Sequence, residues 1–354
     1  MLVGAEPHLP YERPHLSKGY VLGTVRPDRL PLRPPEQYRE LGVEVRLAER
    51  VVDLGLGDRT ATLEGGDTIA WDRLCIATGS DARHLPGFED AIYLRELPAA
   101  ERLRALIDRS EALDIVGAGF IGCEVAAVAV QKGSTVRVHE ARAEPLSFVL
   151  GEELGTYMAG VHLAHGVDLR LNVRELSAFN GPLLVAVGSV PRTQLAERAG
   201  LEVDGGIVVD ERGHTSAPDV FAAGDVTKFF SPLFEDYIRV EHFQTAQRQG
   251  FAVGRAMAGA TDPYDEAPWF WSDQYDLNIQ YVGAGLQFDQ VVIRGELGKP
   301  PFTVFRLRGD RLLTVIGFND HHTVARARRL MERRTGVSAR QLADRSFDLR
   351  RALA

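Results

Sequence analysis

Residues 113–140 read LDIVGAGFIGCEVAAVAVQKGSTVRVHE, and this segment carries the clearest fold pattern in the sequence. It opens with the apolar run Leu113–Val116, which is typical of a buried strand. A glycine-rich turn follows, and then an Ala- and Val-rich segment that predicts a helix closed by Gly133. The segment Thr135–Glu140 alternates apolar and polar residues and predicts a second strand. This order predicts a β-α-β unit with parallel strands.

The turn inside this unit carries the pattern G-x-G-x-x-G at Gly117, Gly119 and Gly122. The first glycine permits the tight turn, the second lets a pyrophosphate approach the backbone, and the third lets the helix pack against the strand. The free N–H groups at the helix N-terminus favour the negative pyrophosphate. Because the pattern follows a strand and opens a helix, it indicates a dinucleotide site. We expect the nucleotide contacts to come from Gly117, Ala118, Gly119, Phe120, Ile121 and Gly122.

Glu140 ends the second strand, about 20 residues beyond the glycine turn, where an acid can accept hydrogen bonds from the adenine ribose. A carboxylate at this position would repel a 2′-phosphate, so the sequence favours NADH over NADPH. The nearby Arg142 weakens this preference slightly.

The composition excludes several classes of protein. The 354 residues carry a net charge of -8, which argues against nucleic-acid binding. The two cysteines, Cys75 and Cys123, lie far apart without a C-x-x-C pattern, so they predict neither a redox dithiol nor a zinc site. His321 and His322 have no nearby acid or cysteine to complete a metal site, and we expect none. No apolar run reaches the length of a membrane span, and the start does not resemble a signal peptide. We therefore expect a cytoplasmic protein.

Other segments follow the same reasoning. The Pro- and Arg-rich first 45 residues predict loops and short helices, Arg73–Gly79 an apolar strand, and Leu97–Ser110 a helix. Beyond residue 267, strand-like runs follow one another at short spacing and a helix closes the series, which predicts an α+β domain. Before residue 267, two further strands are predicted at Leu183–Val187 and Ile207–Val209. Beyond it, the predicted strands are Ile279–Val282, Gln290–Ile293, Phe302–Leu307 and Leu312–Ile316, and the predicted helix is Thr323–Arg334.

Five further patterns occur in one order: RPHLSK at 13–18, ATG at 77–79, TSAPDVFAAGD at 215–225, RVEHF at 239–243 and PWFWSDQYD at 268–276. With the glycine turn, they resemble the pyridine nucleotide-disulfide oxidoreductase-like flavoproteins. Within that superfamily, the last two patterns look like the ferredoxin reductases that serve oxygenases. The resemblance covers nearly the whole chain.

The resemblance implies an α/β fold with two Rossmann-like dinucleotide-binding domains, one for FAD and one for NAD, and a C-terminal α+β reductase domain. The implied boundaries are residues 1–107 and 188–266 for the FAD-binding domain, 108–187 for the NAD-binding domain and 267–354 for the C-terminal domain. Departures from the family pattern occur at three places. We expect a truncated start that lacks the first βα unit, a gap near Asn180, and Arg192 where the family usually has asparagine.

The resemblance also implies site residues. Asp225 would bond the ribityl and pyrophosphate region of FAD, and Lys18 would lie near the flavin ring. Glu124 would lie near the nicotinamide, and Trp271 beside the flavin on the ferredoxin side. The expected FAD contacts are Glu6, Arg13, Lys18, Val51, Ala77, Thr78, Gly79, Arg95, Gly224, Asp225, Glu241, His242 and Phe243. Glu124, Glu140 and Gly188 join the glycine turn as expected NAD contacts.

Each of these roles has a plainer alternative. Lys18 could be an exposed loop lysine, Asp225 a helix N-cap, Glu124 a solvated helix residue and Trp271 a packing residue. Disulfide reductases need a cysteine pair beside the flavin, and this chain has none. The resemblance therefore implies that electrons leave the flavin directly for an external acceptor.

The expected reaction passes electrons from NADH through FAD to a two-iron ferredoxin that feeds an oxygenase. Ferredoxins are acidic, so we expect a basic docking face; its candidates are Arg326, Arg328, Arg329, Arg333 and Arg334. Two alternatives stay open at this point. One is a non-catalytic NAD-binding protein without flavin, and the other is a flavin NADH oxidase with another acceptor. The oligomeric state does not follow from the sequence.

Overall fold

The structure is a computed structural model that describes residues 1–109, 111–176 and 179–353. The strands in chain order are β1 Leu2–Gly4, β2 Val45–Leu47, β3 Val51–Gly55, β4 Thr60–Leu63, β5 Thr68–Ala70, β6 Leu74–Ile76, β7 Ser80–Ala82, β8 Leu113–Val116, β9 Val136–His139, β10 Asp168–Arg170, β11 Leu183–Val185, β12 Ser189–Pro191, β13 Ile207–Val209, β14 Val220–Ala222, β15 Thr227–Ser231, β16 Asp236–Ile238, β17 Trp269–Gln274, β18 Leu277–Gly283, β19 Gln290–Glu296, β20 Lys299–Arg308 and β21 Arg311–Phe318.

The α-helices are α1 Gly19–Leu22, α2 Pro35–Glu40, α3 Leu97–Asp108, α4 Phe120–Gln131, α5 Ser147–Leu150, α6 Glu152–Ala164, α7 Gln194–Arg198, α8 Phe243–Met257, α9 His321–Glu332 and α10 Ala339–Ala343. Short 3-10 helices span Arg13–Ser17, Pro27–Arg29 and Leu349–Ala352.

The chain divides into two compact units. The first contains Met1–His15, Val25–Asp81 and Val190–Asp265, and the second contains Leu16–Thr24, Ala82–Ser189 and Glu266–Ala354. The second unit therefore combines the predicted NAD-binding segment with the predicted C-terminal domain. The three-domain boundaries of the sequence analysis stay a prediction.

In the first unit, short strands form several small sheets. Strand β1 pairs in parallel with β2, and β6 pairs in parallel with β14, so that Cys75 lies opposite Phe221. The strands β3, β4 and β5 form an antiparallel meander, and β13, β15 and β16 form a second three-stranded sheet. Helix α8 packs through Val253 and Ala256 against Phe221 and Ala223, which covers one side of the β6–β14 pair.

In the second unit, a four-stranded parallel sheet has the order β10-β9-β8-β11. Strand β8 lies between β9 and β11, and its Ile115 is fully buried, as is Val125 of α4. A crossover from β8 through α4 to β9 is the geometry that a β-α-β unit requires. The sheet thereby places the turn between β8 and α4 at the carboxyl ends of its strands, where α/β folds bind ligands.

The second sheet of this unit is antiparallel, with the order β17-β18-β21-β20-β19. Its core contains Phe302, Phe305 and Phe318, all fully buried, and α9 packs against it through Val324 and Ala327. Strand β17 is an edge of this sheet, and it packs against α4 of the parallel sheet. This contact brings the WFWSDQ segment to the helix that follows the glycine turn.

The predicted fold class is confirmed: the mixed α/β architecture contains the β-α-β unit, and the antiparallel C-terminal sheet with α9 matches the predicted α+β part. Helix α4 begins at Phe120, inside the glycine pattern that was predicted to open a helix. One boundary was wrong, because α9 ends at Glu332 and Arg333 and Arg334 lie beyond it. The end predicted for the helix Leu97–Ser110 falls on residue 110, which lies outside the described residues. Among the described residues, no helix is both long and apolar enough to cross a bilayer.

Candidate active site

The glycine turn has the geometry that a pyrophosphate site requires. Gly117 adopts a φ of 100°, and a Cβ there would lie 2.4 Å from the carbonyl oxygen of Ala186. A Cβ at Gly122 would lie 2.0 Å from the carbonyl oxygen of Gly117. At Gly119, by contrast, a Cβ would meet only the Ala186 oxygen, at 4.0 Å. The backbone is therefore tightly packed at Gly117 and Gly122 and open beside Gly119. The open space leaves room for a phosphate against the start of α4.

Glu140 directly follows β9 and contacts this turn. Its Oε2 accepts a hydrogen bond from the backbone N–H of Ala118 at 2.7 Å, and its Oε1 accepts one from the N–H of Arg142 at 2.9 Å. These bonds fix the carboxylate beside the turn and leave part of its acceptor capacity unused. The guanidinium of Arg142 lies 5.2 Å from the ring centre of Phe148. The residues of this β-α-β unit thus fit a dinucleotide with an unphosphorylated ribose.

The buried centre of the second unit is Glu124, which is 3% exposed. Lys18 Nζ lies 2.8 Å from Glu124 Oε1. The hydroxyl of Ser272 donates to the same oxygen at 2.6 Å, and the hydroxyl of Ser17 donates to Oε2 at 2.5 Å. The alternatives of a solvated Glu124 and an exposed Lys18 are therefore wrong, because the lysine side chain is only 14% exposed. Two of the predicted catalytic residues thus form one ion pair between the N-cap of α1, where Lys18 lies, and helix α4, which carries Glu124.

A chain of polar side chains continues from this ion pair. Gln274 Nε2 donates to Ser272 Oγ at 3.0 Å, and Gln274 Oε1 lies 3.0 Å from His162 Nε2. His162 Nδ1 lies 3.0 Å from the hydroxyl of Tyr275. Burial lowers the pKa of His162 to about 4, so the imidazole is neutral at physiological pH. Sequence reasoning missed His162, because nothing in its local pattern distinguishes it from a surface helix residue.

Trp271 is half-buried on β17, whose side chains alternate between two faces. Phe270 on one face meets Phe120 edge-on at 4.8 Å, and Ser272 and Gln274 share that face. Trp271 lies on the opposite face, where it stacks on Trp269 at 5.5 Å. The strand therefore separates Trp271 from the ion pair of its own unit.

Two further predicted residues lie in the second unit. Gly188 has a φ of 108°, and its carbonyl accepts a hydrogen bond from the N–H of Arg83 at 2.9 Å. Arg95 lies in the loop before α3. Their expected roles toward NAD and FAD stay predictions.

In the first unit, the structure brings Glu6 and Arg13 together. Glu6 accepts a hydrogen bond from the Tyr11 hydroxyl at 2.6 Å and forms an ion pair with Arg13. Burial acts to raise the pKa of Glu6, but the Tyr11 hydrogen bond and the Arg13 charge outweigh it, so the pKa lies below its ordinary value. The carboxylate is therefore ionised, as an acceptor of ribose hydroxyls must be.

The segment Ala77–Gly79 follows strand β6 and is tied to the loop around Arg192. Thr78 Oγ1 donates to the Arg192 carbonyl at 2.8 Å, and the Arg192 N–H donates to the Gly79 carbonyl at 2.9 Å. The Arg192 side chain binds Asp81. Arg192, where the family usually has asparagine, therefore links the two segments. Val51, another expected FAD contact, pairs with Leu63 in the β3–β4 ladder.

The start of α8 gathers the remaining FAD candidates. Gly224 adopts a φ of 81°, and its N–H donates to Gln249 Oε1 at 2.8 Å. Asp225 follows it, and the Asp225 carbonyl accepts the hydroxyl of Ser80, which also reaches Glu241. His242 precedes the helix at the N-cap position and Phe243 begins it.

One residue of this helix start was missed by sequence reasoning. Thr245 is 3% exposed, and its hydroxyl has no hydrogen-bond partner among the described residues. A buried hydroxyl without a partner costs free energy, so a ligand that bonds it would be stabilised there. Together with the positive end of the α8 dipole, this fits a phosphate of FAD in the first unit.

The predicted docking arginines differ in their exposure and in the groups that they bind. Arg333 donates to the Leu353 carbonyl at 2.8 Å, Arg326 lies 3.9 Å from Asp348, and Arg328 binds Glu266 and Glu332. Arg329 is exposed on α9. The described residues contain no group of three side chains that could hold a metal ion.

The two cysteines are poor nucleophiles. Burial raises the pKa of Cys75 to about 11. Burial also raises the pKa of Cys123, and the charges of Glu124 and Glu140 add to this effect. Because the thiolate is the reactive form, neither residue is activated for thiol chemistry.

Comparison with known proteins agrees with this geometry. The profile of the pyridine nucleotide-disulphide oxidoreductase family matches residues 1–181 and 180–250, and the profile described as reductase C-terminal matches residues 269–353. The ferredoxin–NAD(+) reductase component of the anthranilate 1,2-dioxygenase system of Burkholderia cepacia is 35% identical, over 99% of this chain and 92% of the relative. Putidaredoxin reductase of Pseudomonas putida is 31% identical, over 100% of this chain and 90% of the relative.

Solved structures show the same likeness. The putidaredoxin reductase in a covalent complex with putidaredoxin superimposes with a TM-score of 0.93 at 31% identity, over 99% of this chain and 91% of the other. A ferredoxin reductase for the CYP199A2 system from Rhodopseudomonas palustris gives a TM-score of 0.94 at 34% identity, over 99% and 92% of the two chains.

The chain belongs to the pyridine nucleotide-disulphide oxidoreductase family. Within it, the chain is similar to the ferredoxin–NAD(+) reductase components of oxygenase systems, a family that uses FAD and NADH. It is thus an NAD(P)H-dependent oxidoreductase, against the alternative of a non-catalytic NAD-binding protein.

Proposed function

We propose that this protein passes electrons from NADH through FAD to a two-iron ferredoxin that supplies an oxygenase. The observation that carries the proposal is the buried ion pair of Lys18 with Glu124, the latter on the helix that follows the glycine turn. The names of the similar proteins add support, because they are ferredoxin reductase components of dioxygenase systems. The cytoplasm is the compartment we propose, since NADH is available there.

When bound, FAD would supply the redox chemistry that couples the two-electron oxidation of one NADH to the one-electron reduction of two ferredoxin molecules, with one proton released for each NADH oxidised. In the second unit, the glycine turn and Glu140 would hold the pyrophosphate and ribose of NADH. Glu124 would face the nicotinamide, where its negative charge favours the positive ring that remains after the hydride has left. Lys18 would supply a positive charge near the flavin ring, where reduced flavin carries negative charge.

In the first unit, Glu6 would accept hydrogen bonds from the FAD ribose, and the start of α8 with Thr245 would hold a phosphate. The remaining predicted FAD contacts stay as proposals, and they are Arg13, Val51, Ala77, Thr78, Gly79, Arg95, Gly224, Asp225, Glu241, His242 and Phe243.

The acceptor would dock on the face of the C-terminal sheet that carries Trp271. The exposed Arg329, with Arg326 and Arg333, supplies positive charge for an acidic ferredoxin. Exposed charges act at long range and are screened by salt. The rate constant of ferredoxin reduction should therefore fall several-fold between about 0.05 M and 0.5 M salt.

The proposal is tested by mixing the protein, loaded with FAD, with NADH and a two-iron ferredoxin under anaerobic conditions. Reduction of about two ferredoxins per NADH, at rates much faster than oxygen consumption in air, is the expected result. Oxygen consumption that outpaces ferredoxin reduction would favour the NADH oxidase alternative.

Docking is tested with Arg329→Gln. This change should lower the second-order rate constant for ferredoxin and weaken its salt dependence, while flavin reduction by NADH stays unchanged. Arg29→Gln is the matched control, because Arg29 is also highly exposed but lies in the first unit. Equal effects of the two substitutions would refute the docking assignment.

A further inference from the structure

The polar chain from Glu124 to Tyr275 has only one consistent direction. An ionised carboxylate beside Lys18 can only accept, so Ser272 must donate to it. Gln274 therefore gives its amide N–H to Ser272 and turns its carbonyl oxygen toward His162. A carbonyl oxygen cannot donate, so His162 must carry its proton on Nε2.

The last link follows from the same reasoning. With the proton of His162 on Nε2, the Nδ1 atom is a bare acceptor, and the hydroxyl of Tyr275 must donate to it. Every donor from Tyr275 to Ser272 thus points toward Glu124. Hydrogen bonds aligned in one direction polarise one another, so each strengthens the next.

The polar side chains that link Glu124 to Tyr275 are shielded from water at most positions. Ser272 and Gln274 are 0% exposed and His162 is 1% exposed. A buried hydrogen bond is electrostatically stronger than one in water, and a missing one is more costly. Changes at the far end of the chain should therefore be felt at Glu124.

Tyr275 offers independent support, because it holds a strained backbone conformation. It lies in the two-residue connection between β17 and β18 with a φ of 58°, a position that favours glycine or asparagine. Its ring stacks on His165 at 3.6 Å with an interplanar angle of 10°. A bulky aromatic residue with positive φ indicates that its side chain makes a contribution there that glycine could not.

We infer that His162 and Tyr275 are positioning residues that act on Glu124 through Gln274 and Ser272, fixing its carboxylate for the positively charged nicotinamide of NAD⁺. The inference rests on the proposed function in one respect, that Glu124 faces the nicotinamide. Glu124, His162, Ser272, Gln274 and Tyr275 all lie in the second unit.

The direction of the chain is tested without any cofactor. Selective ¹⁵N labelling of the ten histidines and long-range ¹H–¹⁵N NMR spectra report the tautomer of each neutral ring. His162, assigned as the resonance lost in His162→Gln, should be the Nε2–H tautomer, and Tyr275→Phe should shift its Nδ1 resonance. An Nδ1–H tautomer for His162 would overturn the inference.

The effect on the site is tested by nucleotide binding. Tyr275→Phe keeps the stacked ring and removes only the hydroxyl, so it should lower the affinity for NAD⁺ relative to NADH by roughly two- to five-fold. Because the two ligands differ only in the nicotinamide ring, which is positively charged in NAD⁺ and neutral in NADH, a general loss of packing would lower both affinities about equally. His162→Leu should give a larger loss, and His162→Gln, whose amide can still donate to Gln274, should restore part of it.

His165→Phe is the matched control. It keeps a ring against Tyr275, and His165 makes no hydrogen bond to the residues that link Tyr275 to Glu124. An NAD⁺ to NADH affinity ratio that is unchanged in Tyr275→Phe and in His162→Leu would overturn the inference. If the wild-type protein bound neither nucleotide, the proposed function would fail instead, and the tautomer measurement would still decide the direction of the chain.

Discussion

The ammonium of Lys18 lies 2.8 Å from the carboxylate of Glu124, with both side chains largely buried. Such a pair costs free energy to desolvate, and its mutual attraction repays this only when further hydrogen bonds satisfy the remaining groups. Ser17 and Ser272 supply those bonds on either carboxylate oxygen. The arrangement holds a negative charge in place beside the glycine turn, where a change in the charge of a bound ligand would be felt strongly.

Replacing Glu124 with glutamine tests this charge. Glu124→Gln keeps the size of the side chain and removes the charge that would favour the oxidised nicotinamide. We expect the rate constant of flavin reduction by NADH to fall by about tenfold or more, measured by stopped-flow absorbance. Glu153→Gln, an exposed change on α6, is the control. Equal rates for the two variants would remove Glu124 from the site.

The close packing at Gly122 predicts that a larger residue there disrupts the glycine turn. In Gly122→Ala, the new methyl group would lie 2.0 Å from the Gly117 carbonyl oxygen, so the turn must shift. Binding of NADH should weaken by at least about tenfold, since displaced N–H groups no longer match the pyrophosphate. Gly160→Ala on α6 meets nothing within 4 Å and should leave binding intact while raising stability by up to about 1 kcal/mol. Calorimetric titration and thermal unfolding of both variants check these outcomes.

Glu140 should decide between the two nicotinamide nucleotides. Glu140→Ala removes the acceptor of two backbone N–H bonds and the charge that would repel a 2′-phosphate. The KM for NADH should rise, and the ratio of kcat/KM for NADH to that for NADPH should fall by about tenfold or more. Steady-state reduction of an artificial acceptor with each nucleotide is the measurement. A ratio that stays unchanged would contradict the role of Glu140.

The lowered pKa of His162 predicts how the stability of the folded protein depends on pH. Its pKa is about 4 in the folded protein and near 6.5 when unfolded, so the unfolded chain binds more protons between these values. The free energy of unfolding should therefore fall as pH drops from 6.5 to 4, with up to about 3 kcal/mol from this residue. The groups that face it are Gln274, Tyr275 and the exposed His165. His242, whose pKa burial also lowers to about 4, should act in the same direction.

Urea unfolding at several pH values measures this dependence. The slope should be smaller in His162→Gln, which cannot take up a proton. If His162→Gln kept the wild-type slope, burial of a neutral His162 would be refuted.

The nucleotide turn could be predicted from sequence because its determinants are local. Gly117, Gly119, Gly122 and Glu140 lie within one β-α-β unit, and each has a conformational or chemical reason to be there. The predicted strands of the C-terminal sheet were found for the same reason, as alternation along a strand reports its buried face.

The polar chain could not be predicted in this way. Glu124 and Ser272 are 148 positions apart, and His162 and Gln274 are 112 apart, so no local pattern relates them. The sequence analysis does not predict strand β17. Its first three residues are apolar and its last three are polar, so the alternation that is typical of a half-buried strand is missing. Only the packing of that strand on α4 brings Ser272 to Glu124.

Electron transfer from NADH to bound FAD is measured by the visible absorption spectrum of the purified protein, supplemented with FAD, before and after anaerobic addition of NADH. A flavin spectrum that bleaches on addition of about one equivalent of NADH is the predicted result. A protein that takes up no FAD, or a bound flavin that NADH fails to bleach, would rule out the proposed electron transfer.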